Sequence, residues 1–300
     1  MQESLFTVSL PFVDTDKELE NIIAMYPQYD PYFIVSGCVK ERREKFDKLW
    51  RRYKPCADRH CADRHFLHQI RTSFHQRSWE MYIGNVLLAK ELSINSENEG
   101  PDFIVNNNIY IECVACTKGD PKKLDSVPEL KEGHVQGIPV DQMILRITQA
   151  IKDKTLEQYE KKWKNKRWFK QDMPFVVAIN TGDFNYPQDY FGIPLVMKAL
   201  FGLQFLQISQ NGNESFSWRE EIKKGNGVPV NYFANENFKA VSGVLFSDNT
   251  VLGHPDNIGD DCIFINNPFA QNIIEPGFIS LFNNWYAEKE NGFIKLTKNY

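Results

Sequence analysis

Apolar residues recur at helical spacing through the first third of the chain. The stretch from Asp16 to Tyr53 is polar overall, with apolar residues three or four positions apart. From His65 to Leu92 the same spacing predicts one or two packed helices. Glu80 stands beside the apolar face of this second stretch. The apolar positions of the second stretch are Phe66, Ile70, Phe74, Trp79, Ile83, Val86 and Leu87.

The pattern changes to that of a β-hairpin after Pro101. Two apolar runs, 103–105 and 109–115, flank the three asparagines 106–108. β-Branched and aromatic residues favour strands, and Asn tolerates positive φ, so the pattern predicts two strands joined by a tight turn. Alternation along the second strand puts three residues on one face: Tyr110, Glu112 and Val114.

Helical and strand patterns alternate in the remainder of the chain. Residues 117–140 have no sustained periodicity and predict a long loop. A helix is predicted from Gln142 to Trp163, and buried strands at 174–180, 243–247 and 262–266. This alternation indicates an α/β protein.

Composition and charge narrow the class of protein. Hydrophobic residues at 42% and charged residues at 25% are values of a folded globular chain. We expect no membrane segment and no leader, because no apolar run approaches about 18 residues. Six sparse cysteines predict reduced thiols and a cytoplasmic location. The net charge of -4 means that a nucleic-acid partner would be held by a local basic patch.

Acidic residues provide the candidate chemistry. Asp102 and Glu112 lie ten positions apart across the predicted hairpin, so their carboxylates are expected at adjacent strand positions. With Glu80 they form a three-carboxylate site suited to Mg²⁺ or Mn²⁺, which promotes phosphodiester hydrolysis. The alternative is turn chemistry at Asp102 and a solvent-facing Glu112. The apolar neighbours of Glu112 favour a partner or a metal.

These residues resemble the motif of the PD-(D/E)xK nuclease superfamily. The matching positions are Pro101-Asp102 and, ten residues later, Glu112-Cys113-Val114, with Trp79-Glu80 on the preceding helix. The stretch 147–163 resembles the second core helix of the family, and the likeness covers about 66–159. It implies a restriction-endonuclease-like mixed central sheet flanked by helices, a metal at Asp102 and Glu112, and a carbonyl ligand from Cys113.

The resemblance leaves both ends of the chain as additions to the core. We expect a helical N-terminal extension over 1–60, a nuclease-like core over 61–190, and an α/β C-terminal extension over 191–300 packed on that core.

The motif lysine of the family is replaced by Val114. Either another cation substitutes for it or activity is lost. Lys152 is the preferred candidate because it lies three positions after Gln149 on the same helix face, where Gln149 would position the site. Lys118 is the second candidate, and solvated surface lysines are the alternative for both.

Two basic stretches, 39–54 and 152–170, each carry a local charge of +5. They are candidates for contact with the phosphates of DNA or RNA, against the alternative of a solvated helix face.

Other chemistry is less favoured by the sequence. Cys56 and Cys61 with nearby histidines, or Cys113 with Cys116, offer weak zinc patterns. A glycosidase pair at Asp102 and Glu112 lacks a supporting sugar-binding pattern, and no phosphate-loop motif occurs. The sequence therefore predicts a metal-dependent nuclease, with a catalytically inactive nuclease-fold protein that binds nucleic acid or a protein partner as the alternative.

Overall fold

The chain forms two compact units, each assembled from two stretches of sequence. Unit 1 comprises Met1–Ala115 and Asn249–Asp261, and unit 2 comprises Cys116–Asp248 and Cys262–Tyr300. Neither unit is continuous, so their bounds are not those of the three segments expected from the sequence. The computed structural model describes these ranges: 4–58, 65–97, 99–131, 133–190, 192–208, 214–223, 227–291 and 293–299.

Helices dominate the described part of unit 1. The α1 helix begins with a capping box between Thr15 and Glu18, which satisfies backbone N–H groups at the helix start. Asp30 caps α2 by accepting from the Tyr32 N–H at 2.8 Å, and it also accepts from the Phe74 N–H at 2.9 Å. One carboxylate therefore ties together the starts of two helices. The helices are α1 (Asp16–Met25), α2 (Pro31–Cys38), α3 (Lys40–Cys56), α4 (Phe66–Gln69) and α5 (Phe74–Ala89).

The α5 helix is the central helix of unit 1 and is buried along most of its length. It packs closely on α3: a Cβ at Gly84 would lie 2.4 Å from the Tyr53 ring, so a side chain there would displace the ring. Glu80 is buried on this helix with only 2% of its surface exposed.

Three antiparallel strands complete the first stretch of unit 1. They are β1 (Ile94–Asn95), β2 (Phe103–Val105) and β3 (Ile109–Ala115). The predicted hairpin is confirmed, with Phe103 opposite Ile111 and Val105 opposite Ile109. Asn106 and Asn107 adopt φ values of 49° and 58° in the turn. The turn therefore uses the positive φ that Asn tolerates.

The second stretch of unit 1, Asn249–Asp261, packs on α5 through polar and aromatic contacts. His254 and Asp261 are both buried, with His254 Nδ1 2.7 Å from Asp261 Oδ2. The Tyr82 hydroxyl donates to Asp261 Oδ1 at 2.5 Å, and the Tyr82 ring stacks on His254 with centroids 3.7 Å apart. These contacts fix a remote stretch of sequence to the central helix.

Unit 2 begins with the predicted long loop, since the described residues of 117–139 contain neither helix nor strand. The predicted helix follows as α6 (Val140–Lys152), which runs directly into a π-helix, Asp153–Trp163. The other helices described here are short: α7 (Val196–Phe201), α8 (Pro276–Ile279) and the 3₁₀ turns Gly182–Phe184, Tyr232–Ala234 and Glu236–Phe238.

Five neighbouring strands of a mixed sheet form the core of unit 2. Their order is β4 (Phe175–Asn180), β11 (Val241–Ser247), β12 (Ile263–Asn266), β13 (Asn283–Glu290) and β14 (Phe293–Asn299). The β4–β11 and β12–β13 pairs are parallel, whereas β11–β12 and β13–β14 are antiparallel. Three small antiparallel pairs accompany it: β5 (Asp189–Tyr190) with β6 (Ile193–Pro194), β7 (Leu203–Ile208) with β8 (Glu214–Trp218), and β9 (Glu221–Ile222) with β10 (Val228–Pro229).

The architecture confirms an α/β fold with a mixed sheet and helices. The three predicted buried strands correspond to β4, β11 and β12. The β13–β14 hairpin was missed, although Asn291-Gly292 is a strong sequence signal for a hairpin turn and Asn291 has φ 50°. Among the described helices, none is both long and apolar enough to cross a membrane.

Candidate functional site

Asp102 and Glu112 are joined by hydrogen bonds at the open end of the β2–β3 hairpin. The Asp102 N–H donates to Glu112 Oε2 at 3.2 Å, and the Cys113 N–H donates to Asp102 Oδ2 at 2.7 Å. The strand register explains this, because one step beyond the Phe103–Ile111 pair brings residue 102 opposite residue 112. Glu112 is buried with 5% of its surface exposed, so the alternative of a solvent-facing side chain is wrong.

Glu80 experiences the charge of both hairpin acids. Burial, then the Asp102 carboxylate and, to a smaller extent, Glu112 together raise the pKa of Glu80 from 4.5 to about 8. Arg77 opposes these effects through its charge and its hydrogen bond. The pKa of the neighbouring Tyr53 is also raised, first by burial and then by Glu80 and Asp102. The three acids therefore share one buried electrostatic environment in unit 1, which we call the acid cluster.

Gln76 connects the helix of Glu80 to the strand of Glu112. Its side-chain nitrogen donates to the Cys113 carbonyl at 3.2 Å, and its side-chain oxygen accepts from the Ala115 N–H at 2.8 Å. Two bonds from one amide fix both the distance and the rotation of α5 relative to β3. Sequence reasoning missed Gln76, although it lies four positions before Glu80 and so on the same helix face.

Arg77 is a cation in direct contact with the acid cluster. Its Nη1 atom donates to Glu80 Oε2 at 2.5 Å, and its Nη2 atom donates to the Gln69 side chain. The guanidinium also lies 6.0 Å from the centroid of the Phe66 ring. Sequence reasoning missed this residue as well, although its position three before Glu80 is typical of a helical ion pair.

Gln149 and Lys152 lie in unit 2, whereas the acid cluster lies in unit 1. Both residues line a cavity of unit 2, and the Gln149 side chain donates to Asp153 Oδ1 at 2.7 Å. Lys118 pairs with Glu129 at 2.5 Å, and Val114 is partly exposed on β3. A role for Lys152 in cleavage stays a prediction. Arg77 is a cation that contacts Glu80 of the acid cluster directly.

The donor atoms of the acid cluster suit a hard cation. Asp102 and Glu112 contribute carboxylate oxygens, and the Cys113 carbonyl, which accepts from Gln76, is a further oxygen of the cluster. In the described ranges, no three His, Cys, Asp or Glu side chains form a ready metal-binding group. Mg²⁺ usually binds through one or two carboxylates and retains several waters, so two carboxylates and one carbonyl fit its requirements.

The described cysteines include both reduced thiols and a disulfide-bonded residue. Cys38, Cys113, Cys116 and Cys262 carry reduced thiols and are buried, as expected. Burial raises the pKa of the Cys116 thiol to about 12, which makes it a poor thiolate ligand or nucleophile. Cys56 is disulfide-bonded, so the expectation of six reduced thiols is wrong at this residue. Sequence spacing does not reveal which sulfur atoms meet in the fold. Of the proposed zinc ligands, His60 and Cys61 lie outside the described residues.

The basic stretch after Lys152 is partly neutralised by its own acids. Lys161 pairs with Glu157 at 2.7 Å and Lys164 pairs with Glu160 at 2.6 Å, each one turn apart. These pairs are exposed or half-exposed, so they contribute little stability and can be replaced by contacts with phosphate. Tyr159 and Trp163 of the same helix are buried, so the expected interleaving of aromatic residues with the cations serves the core at these positions.

Comparison with known proteins adds no assignment: no protein-family model, curated protein or solved structure matches this chain.

Proposed function

We propose that the protein is a metal-dependent phosphodiester hydrolase of the restriction-endonuclease-like class, acting on DNA or RNA. The observation that carries the proposal is the hydrogen-bonded pair of Asp102 and Glu112 beside buried Glu80, whose pKa both acids raise. Buried like charges are unfavourable in a fold unless a cation compensates them. The cluster therefore has the charge and the oxygen donors that a divalent metal requires.

Each residue of the acid cluster has a separate proposed role in the reaction. Asp102, Glu112 and the Cys113 carbonyl would hold Mg²⁺ or Mn²⁺, which would supply Lewis-acid polarisation of the phosphodiester and activation of a water. Gln76 keeps the Cys113 carbonyl in place through its hydrogen bond. Glu80 holds a proton near neutral pH, because its pKa is about 8, and releases it above that pH. Glu80 is therefore suited to orient the attacking water when it is protonated and to bind a second ion when it is ionised.

Arg77 supports the proposal by supplying positive charge beside Glu80, because Val114 supplies none at the position of the family's motif lysine. It contacts Glu80 directly, and the adjacent charge is suited to stabilise negative charge that develops in the transition state. The exposed cations of the π-helix are the proposed contacts for the nucleic-acid backbone.

The test compares cleavage of plasmid DNA, single-stranded DNA and RNA with Mg²⁺ or Mn²⁺. Asp102→Ala and Glu112→Gln should each lower turnover by about 10²-fold or more and abolish metal binding measured by calorimetry. Arg77→Met should lower turnover while metal binding remains. Glu44→Gln changes an exposed acid of α3 in the same unit and serves as the matched control. Unchanged metal affinity in Asp102→Ala would contradict its role as a ligand.

A catalytically inactive nuclease-fold protein that binds nucleic acid or a protein partner is the second candidate. Val114 favours it, because this residue supplies no charge at the motif position. A comparison of nucleic-acid binding with cleavage distinguishes the two functions. If the wild-type chain binds DNA or RNA but cleaves neither with either metal, and Val114→Lys gains cleavage, the chain is a binding protein on a nuclease scaffold.

A further inference from the structure

A second candidate site lies in unit 2, between the last turns of α6 and the segment 227–238. It is a cavity of about 230 Å³. Sites for drug-sized ligands usually measure about 300–1,000 Å³, so this cavity suits a smaller molecule or one building block of a polymer. The acid cluster contributes none of its lining residues.

The apolar part of the cavity lining includes an aromatic wall. Tyr232 and Phe238 stack in parallel with centroids 4.0 Å apart, and both are buried. Leu145, Leu156 and Pro229 contribute apolar surface. The Thr148 side chain hydrogen-bonds Tyr232, and burial raises the pKa of Tyr232 to about 12, so the hydroxyl stays neutral. A planar ring fits such a wall better than an ion does.

Amide side chains provide the polar part of the lining, and two of them are held in fixed orientations. The Gln149 nitrogen is directed by its bond to Asp153, and the Asn235 oxygen accepts from the Asn237 N–H at 3.0 Å. Asn237 itself also lines the cavity. Each amide offers a donor and an acceptor, which is the pattern that nucleobase edges present.

The charged groups of the lining are balanced. Lys152 is exposed on the lining and Asp125 is the acid of the set. One cation beside one acid suits a ligand with a single phosphate and an amino-bearing ring, and it disfavours a polyanion such as a triphosphate. The aromatic wall, the amides and Lys152 together match the ring, edge and phosphate of one nucleotide.

We propose that this cavity of unit 2 binds one nucleotide, with the base against the Tyr232–Phe238 wall and the phosphate at Lys152. The inference goes beyond the proposed cleavage reaction and does not depend on it. The nucleotide is either free or part of a strand, and both present the same chemistry.

The experiment titrates the full chain, in the presence of a metal chelator, with the nucleoside 5′-monophosphates, the matching nucleosides and inorganic phosphate. At least one monophosphate should bind more tightly than its nucleoside and than phosphate. A tetranucleotide of the same base separates the two sources: tighter binding of the tetranucleotide indicates a strand, and weaker binding indicates a free nucleotide. Because the chelator removes divalent ions, the result is independent of the acid cluster.

Three variants locate the binding. Lys152→Met should weaken the monophosphate by about tenfold and leave the nucleoside unchanged, because the nucleoside lacks the charged group. Asn237→Ala should weaken both, and Leu156→Trp should abolish binding by filling the cavity. Lys295→Met is the control, since Lys295 lies on β14 of unit 2, outside the lining and outside the basic stretch. If no nucleotide binds at millimolar concentration, or if Lys152→Met and Asn237→Ala bind like the control, the inference is wrong.

Discussion

At the scale of single residues, the unusual feature is a carboxyl group whose charge the fold disfavours. Glu80 lies in the interior of α5, and burial together with Asp102 and Glu112 raises its pKa to about 8. The ion pair with Arg77 compensates only part of this effect. A buried carboxyl group that the fold disfavours in its ionised form is typical of functional sites, where a bound ligand or a proton compensates the charge.

Glu80→Gln should make unit 1 more stable at alkaline pH in the absence of metal. The folded-state pKa lies above the ordinary value of 4.5, so stability is lost as the pH rises from about 4.5 through about 8. The loss is on the order of several kcal/mol, at about 1.4 kcal/mol for each tenfold change in proton affinity. Thermal unfolding with chelator should show equal stability of the two proteins near pH 4.5 and a higher melting temperature of the variant at pH 9.

Glu44→Gln is the matched control and should follow the wild-type pH profile, because Glu44 is exposed. A Glu80→Gln profile parallel to that of the wild type would contradict the raised pKa.

Sequence reasoning at this scale found the acids but not their partners. Asp102, Glu112 and Glu80 stand out because acids beside apolar runs are uncommon. Gln76 and Arg77 are ordinary polar residues of a helix, and their roles depend on which atoms of β3 and Glu80 they reach. Those contacts arise only when the helix packs against the strand, so the residue types alone do not indicate them.

At the scale of secondary-structure elements, the β2–β3 hairpin sets the geometry of the acid cluster. Its two-strand register puts Asp102 opposite Glu112, and its turn uses positive φ at Asn106 and Asn107 but not at Asn108. The hairpin was predictable because strand pattern and turn chemistry are both local. The continuation of α6 as a π-helix was not, since its residues fit the helical pattern that predicts one ordinary helix from Gln142 to Trp163.

Asn107→Val should destabilise the protein by about 1–2 kcal/mol, because a β-branched residue is strained at φ 58°. The variant also removes the acceptor of the Asn95 side-chain bond, whose length is 2.8 Å. Asn107→Gly should be close to neutral. Asn108→Val lies in the same triplet at an ordinary φ and should change stability by less than about 0.5 kcal/mol. Chemical denaturation measures all three, and equal losses in Asn107→Val and Asn108→Val would argue against backbone strain.

At the scale of the whole molecule, charge is distributed unevenly. The chain carries a net charge of -4, yet its stretch from Lys152 to Lys170 carries +5. Attraction to a phosphate backbone must therefore come from such local stretches.

Replacement of Lys161, Lys162 and Lys164 with Gln should flatten the salt dependence of nucleic-acid binding. Each lost phosphate contact reduces the slope of log affinity against log salt by about 0.9 on duplex DNA. Fluorescence anisotropy between 50 and 200 mM salt, roughly the range in which such effects are large, measures the slope. A triple Gln variant at Lys239, Lys289 and Lys295, three lysines of unit 2 outside the basic stretch, should keep the wild-type slope. If both triple variants have the same slope of log affinity against log salt, then the lysines of the π-helix form only a solvated face and do not contact phosphates.

Sequence reasoning at this scale recovered the α/β class and three strands of the mixed sheet, but not the division into two units. The assignment of residues 249–261 to unit 1 depends on contacts such as that between Tyr82 and Asp261, which are 179 positions apart. A single sequence holds no local signal for such a pairing, because the turn residues of this stretch are compatible with many locations.

The placement of residues 249–261 has a consequence for biosynthesis. Translation runs from the N-terminus, so the ribosome completes residues 116–248 of unit 2 before it makes the last part of unit 1. The nascent chain must hold α5 and the acid cluster in an incomplete state until His254 and Asp261 emerge. A gene fragment that encodes only residues 1–115 would lack both of these contacts to Tyr82. The α5 helix, which carries Glu80 of the acid cluster, would then lack part of its packing.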